Sequence, residues 1–338
     1  MAENILGLVS PAELTAFARE VPETVQNPLS GVIPNDEVND TVVRVGKAGR
    51  KASTAQYRSY DAEAPIGKRE GYANITEIEL PPLSEKLPLN ERLRLDLHRY
   101  KDAAAGQVVD SFFDDVISAV TSIRNRAEKA RGELLSDGKV TINENSTIAE
   151  ADFGLAASHK PSANWSAVGA DIIADETTWK RVVERDAQES VQFAVVSPEI
   201  LDLMLKNDNY RAAAFGAAGG GVLTPERLNE VRRAFGLPPV FVYDGQVPGA
   251  TGMDRVIAAN KYIQVTGGFG RSVWGLTAEG IELAGSNAVD FTAADAPGIV
   301  VNQWREPDPV TVWTKAASVF LPVADDINGL LSATITLA

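Results

Sequence analysis

Apolar residues at Val109, Phe112, Phe113, Val116, Ile117, Val120, Ile123, Ala127, Ala130 and Leu134 recur at three- and four-residue intervals. That spacing is one face of a helix, and it predicts a single long helix over about 107–136. At about 1.5 Å per residue such a helix is roughly 45 Å long. Gly138 stands where a helix is commonly ended by a left-handed residue, and Lys139-Val140-Thr141-Ile142 reads as a strand directly after it. The pattern ahead of the helix is different. Residues 1–40 hold one short helix signal, Ser10-Pro11-Ala12-Glu13, and then Pro22, Pro28, Gly31 and Pro34, an extended arm with little core of its own. Thr41 to Val45 and Ile75 to Leu80 alternate as two strands, one going out and one coming back, with the polar, basic stretch Gly46 to Gly71 between them as a projecting loop. Pro81-Pro82 is read as the end of that excursion and Leu89 as the start of a lead-in helix.

After the long helix, Lys139 to Phe153 reads as a hairpin and Asp171 to Arg185 as a helix. From Gln192 strands and helices alternate. Phe193 to Val196 is strand-like, Ser197 and Thr224 cap two helices, Gly236 ends the second, and Val240–Tyr243 and Arg255–Ala258 are read as strands. Two further strands, Val310–Leu321 and Leu330–Leu337, are expected to return to the hairpin after Gly138. Residues around 190–300 would then be an insertion in a discontinuous first domain.

Composition narrows the classes. An apolar fraction of 44% over 338 residues is enough for a real core. No apolar run approaches the roughly 20 residues of a membrane span, and Met1-Ala2-Glu3-Asn4 does not open a signal peptide, so a cytosolic chain is expected. The absence of cysteine removes disulfides, thiolate zinc sites and cysteine nucleophiles together. A formal charge of −14 disfavours general nucleic-acid binding, which depends on Lys and Arg neutralising phosphates. Between Arg44 and Arg69, however, seven basic residues face two acidic ones, a local +5 that leaves −19 for the remainder. A basic loop on an acidic body suits contact with another copy of the same chain.

Candidate chemistry is sparse. His98 and His159 have no acids at metal-ligand spacing, and the run Gly132 to Val140 has one residue too many for a phosphate loop and a helix on the wrong side. Adjacent acidic pairs such as Asp114-Asp115 and Asp325-Asp326 point to different faces. Neither a catalytic residue nor a metal or cofactor site is expected.

Four stretches carry a family resemblance. They are Ile123 through Ile142, Thr224-Pro-Glu-Arg-Leu with Gly236-Leu-Pro-Pro-Val-Phe-Val-Tyr-Asp244, Gly270-Arg-Ser-Val-Trp-Gly-Leu-Thr-Ala-Glu279, and Arg58-Ser-Tyr-Asp-Ala-Glu-Ala-Pro65. In chain order and spacing these span roughly 58 to 280, and the chain resembles lambda-like tailed-phage major capsid proteins, the E family. The resemblance implies an α+β Hong-Kong-97-type capsid fold: an N-terminal arm (1–40), an extended β-loop (41–80), a peripheral domain (81–190 and 301–338) around the spine helix, and an inserted axial domain (191–300). It implies a non-enzymatic subunit that self-assembles into hexamers and pentamers of an icosahedral head around double-stranded DNA. The alternatives are a cellular nanocompartment shell of the same fold, or an enzyme working with acidic residues. Expected partners are the chain itself, a separate scaffolding protein (no long charged pro-region precedes the arm), a portal and a decoration protein. DNA would be enclosed without sequence-specific binding, no membrane would be involved, and the virion would be assembled in the host bacterial cytoplasm. Contacts between subunits are expected at Arg58, Lys68 and Arg69 of the loop. Arg124, Glu128 and Arg131, read as the polar face of the long helix, are the others.

Overall fold

Pro28 opens a single turn ahead of the first strand, and from there strands and helices follow one another closely among the described residues. The computed structural model of the protein describes residues 28–46, 57–58, 60, 75–89, 105–144, 147–216, 221–249, 252–284, 298–308 and 310–337. The helix expected near 11–20 and the loop residues Lys68 and Arg69 lie outside these. In chain order the arm supplies a 3-10 turn (Pro28–Gly31) and β1 (Asn35–Glu37). The outgoing and returning strands are β2 (Val42–Gly46) and β3 (Ile75–Glu79), paired antiparallel as the alternation predicts. Next come β4 (Pro82–Leu89) and the long helix α1 (Ala105–Asp137), 33 residues and so about 50 Å at 1.5 Å per residue. The hairpin β5 (Lys139–Glu144) and β6 (Thr147–Asp152) follows, then the short β7 (Ser162–Ala163) and α2 (Ile172–Ala187).

The alternating region contains β8 (Val191–Val196), α3 (Pro198–Lys206), α4 (Asp208–Phe215), α5 (Pro225–Ala234), β9 (Val240–Val242), β10 (Gln246–Pro248), β11 (Met253–Arg255) and β12 (Lys261–Thr266). The chain ends with β13 (Gly270–Gly275), α6 (Ala278–Ala284), β14 (Val300–Pro307), β15 (Val310–Ala324) and β16 (Leu330–Ile335). Caps fall where the sequence places them: Ser197 and Thr224 accept from the N–H groups of Ile200 and Arg227, satisfying donors that the first helical turn leaves free.

Two sheets organise the described residues. In the first, the 15-residue β15 pairs antiparallel with β4, β13 and β14, and β1 adds in parallel to β13. In the second the order is β7-β16-β12-β8-β9. Three expectations are corrected here. Pro81-Pro82 ends the excursion, but the chain runs straight into β4, which takes in Leu89, read as the start of a helix, and among the described residues pairs with β15 alone; a strand at a sheet edge tolerates the missing N–H groups of Pro82 and Pro88. Residues 330–335, expected in the first domain, lie beside β12 in the second sheet, while β13, expected in the insertion, joins the first. Of Arg255–Ala258 only Arg255 is in a strand, the last residue of β11, a short ribbon with β10.

The long helix joins the two halves. Val116, Val120, Ile123, Ala127, Ala130, Leu134 and Leu135 are buried in a core shared with β15, and Tyr243, Val247 and Val256 from the alternating region close over the same core. Gly132 permits that closure: a Cβ there would lie 2.7 Å from the carbonyl oxygen of Val256, too close for any side chain. At the helix end Gly138 has φ +73° and its N–H donates to the Leu134 carbonyl at 2.9 Å. The freed carbonyl of Ser136 accepts from the Ser332 hydroxyl (2.6 Å) and the Lys261 ammonium (3.2 Å), so β16 and β12 cap the helix with charge of the sign its C-terminus favours. A second core under α2 and α5 holds Trp165, Trp179 and Tyr262, the two indoles stacked at 5.6 Å.

Candidate assembly surface and the buried charged centres

The ribbon of β2 and β3 has two unlike faces. Val43 and Val45 point into the core, while Arg44 and Glu77 pair at 2.9 Å on the other face, both well exposed. Beyond the ribbon Tyr57, Arg58 and Tyr60 are exposed, the two tyrosines fully. The loop thus has a rooted base, and the described residues between its strands, Tyr57, Arg58 and Tyr60, are exposed. Beside the middle of α1 runs a groove of about 580 Å³ between β4 and β10, lined by Glu85, Ser118, Ser122, Asn125, Arg126 and Lys129 among others. Ser122 donates to Glu85 at 3.2 Å, and Arg126 is held by Glu144 at 2.9 Å and Glu133 at 3.7 Å. Arg124 is half-buried one turn away.

Glu128 and Arg131 are placed differently from the expectation. They do pair, at 3.2 Å, but side-chain exposures of 0% and 2% put them inside the subunit, so no second copy can reach them. One Glu128 oxygen accepts the Leu29 N–H and the Tyr243 hydroxyl, each at 3.0 Å. Arg131 donates to Asn35 (2.6 Å) and Ser272 (2.8 Å) and lies over the Phe320 ring. The pair therefore ties the arm, the long helix, β13 and the loop after β9 at one point. Burial pushes the Glu128 carboxyl up, against the opposing pull of the Leu29 N–H and Arg131.

A second centre has no counterpart in the sequence reading. Glu176 of α2 and Arg232 of α5 are both fully buried and bonded to each other. The Tyr210 hydroxyl donates to Glu176, and Arg232 also reaches the Pro238 carbonyl at 3.0 Å. Burial, then the neighbouring Glu176 charge, raises the Tyr210 phenol, which stays protonated as a donor. At the surface Arg255 grips Glu199 at 2.7 Å and Asp244 at 3.2 Å, joining α3 to the loop after β9. Its hydrogen bonds are the main reason that the Glu199 carboxyl is lowered to about 2. A depressed carboxyl contributes stability above its unfolded value near 4.5 that is lost as pH falls toward 2. Wild type is thus expected to lose melting temperature between about pH 4.5 and 2 faster than Glu199→Gln. Parallel curves for the two proteins, followed by calorimetry, would show that the clamp adds nothing.

His159 is a core residue, with Nδ1 2.6 Å from the Leu330 carbonyl and Nε2 3.1 Å from Asp186. Among the described residues no group of three His, Asp or Glu side chains is placed to hold a metal ion, and no helix is long and apolar enough to cross a membrane.

No curated protein matches the chain. The model of the family described as "Phage major capsid protein E" matches residues 10–335. Among solved structures, a protein assigned as the capsid protein of a prophage of Escherichia coli CFT073 is similar over 97% of this chain and 99% of its own, at 13% identity and a TM-score of 0.61. A phage-related protein from Bordetella bronchiseptica RB50 is similar over 95% and 94%, at 12% identity and a TM-score of 0.56.

Proposed function

This chain belongs to the phage major capsid protein E family, and on that premise we propose how it builds a head. It is a structural subunit of a phage capsid with the Hong-Kong-97-type α+β fold. The observation that carries this is the family match over residues 10–335, nearly the whole chain, which favours a phage head over a nanocompartment shell. Subunits assemble into hexamers and pentamers that close around double-stranded DNA. The residues on the second sheet form the axial lobe, and those on the first, β13 included, form the peripheral lobe.

The projecting loop is the clamp between neighbours. Arg58, Lys68 and Arg69 lie across an acidic surface of the adjacent subunit, with Arg124 beside the receiving groove. The loop's local +5 against −19 elsewhere supports this. A separate scaffolding protein, a portal and a decoration protein complete the head, which assembles in the host cytoplasm. Electron microscopy of the purified chain, alone and with a scaffolding protein, tests the reading. Shells, tubes or rings are expected, and a monomer under both conditions would refute it. For the clamp, reversing charge at Arg58, Lys68 and Arg69 together is expected to abolish capsomer formation. Raising salt should weaken it, because exposed charges are screened within roughly 8–10 Å at physiological ionic strength. Sedimentation that is blind to both would remove the clamp while leaving the shell.

A further inference from the structure

The first sheet has one face turned into the core and one turned away. Val301 and Ala316 lie in the core covered by α1. Successive residues of a strand alternate in direction, so Trp313 and Lys315 point the other way. The register sets Trp313 opposite both Trp304 and Pro88, Lys315 opposite Asn302 and Lys86, and Thr311 opposite Glu306. Residues directly opposite share a face. The lower part of this outer face is covered by α6, where Glu279 holds Lys315 at 2.5 Å and Val300 is buried. Toward the end of the β14–β15 hairpin Thr311 is still buried, while Trp304 and Glu306 are exposed. Trp304 is 37% exposed there.

The two indoles are fixed in place. Trp304 and Trp313 stack with centroids 6.3 Å apart and planes 21° from parallel. The Trp313 N–H donates to Glu306 at 2.9 Å, and the Lys86 ammonium sits 4.5 Å from the centre of the Trp313 ring. Large aromatic area, already immobilised, loses little conformational entropy on docking, and Trp is among the residues that dominate contact energies.

We propose that the Trp304–Trp313 patch is a contact between copies of this chain in neighbouring capsomers, each copy presenting the same patch to the other. Charge chooses this occupant. The rim holds both signs, Lys86 and Glu306, so facing copies set the cation of one near the carboxylate of the other, as a self-complementary surface requires. Packaged nucleic acid would meet Glu306 and be repelled. The contact differs from the loop clamp, which acts within a capsomer, and it rests on the shell reading above.

The test compares wild type with Trp304→Thr, whose side chain is exposed near the tip. Trp304→Thr is expected to keep its melting temperature and form rings, while closed shells fall about tenfold by electron microscopy and sedimentation. Lys86→Glu and Glu306→Lys should each close poorly alone, whereas mixing the two variants should yield more closed shells than either. That rescue requires contact between molecules, and it decides the matter even if Trp304→Thr folds badly. Normal closure by Trp304→Thr, loss of rings rather than of shells, or no gain on mixing would each overturn the proposal. Failure of wild type to form rings or shells would instead refute the shell reading.

Discussion

Arg232→Met is expected to destabilise the second lobe by about 3–5 kcal/mol, because it leaves the Glu176 carboxylate buried without its cation. The surroundings offer no escape to water: Glu176 and Arg232 are fully buried, and Tyr210, also fully buried, bonds directly to the carboxylate. The stacked Trp165 and Trp179, with Tyr262 against them, belong to the same core, so this lobe contributes to the near-ultraviolet circular dichroism beside Trp274, Trp304 and Trp313 of the first sheet. That part of the aromatic signal should melt early in Arg232→Met. Adding Glu176→Gln should recover much of the loss, since removing both charges is far milder than removing one. If the single variant melts like wild type, the pair is not what fixes α2 against α5.

Glu128→Ala should cost a similar 3–5 kcal/mol, for the mirror-image reason that Arg131 is left buried without its carboxylate. It also has a local consequence. The Leu29 N–H loses its acceptor, and the arm loses one of the bonds that seat it. Leu29 and Ile33 are themselves fully buried, so two accounts of arm docking compete. Hydrogen exchange at the amides of Leu29, Ile33 and Val38 separates them. Fast exchange in Glu128→Ala together with a lowered melting temperature would assign the seat to the polar joint. Retained protection would assign it to the two apolar side chains.

The long helix, its glycine stop, the β-ribbon and the capped helices were legible because each is written in local spacing: three and four for α1, two for β2 and β3, and Ser or Thr before Pro at α3 and α5. What failed was non-local. Nothing within residues 330–335 says that their partner is β12 and not the hairpin after Gly138, and β4 was hidden by prolines that only an edge position makes tolerable. Glu128 and Arg131 were read from charge and pair spacing as a polar face open to a second copy. Yet at 100° per residue Arg131 falls about 40° from Ala127, inside the apolar stripe, so position on the helix held the signal that residue type concealed. Glu176 and Arg232 likewise fall about 40° from Ile172 and Leu228 on their helices, so burial was readable there, but their pairing across 56 residues on different helices was not.

The placement of β15 and β16 sets an order of events during synthesis. β15 is the strand on which β4, β13 and β14 all pair, and β16 lies between β7 and β12 in the other sheet. The first sheet lacks its central strand, and the second the strand that joins β7 to β12, until residues 310–335 have left the ribosome. The nascent chain can form α1 and the local hairpins earlier, but it cannot complete either core, and closing such distant pairings is slow. Copies still being translated therefore lack a finished surface with which to polymerise, so recruitment into a growing shell waits for the release of whole subunits.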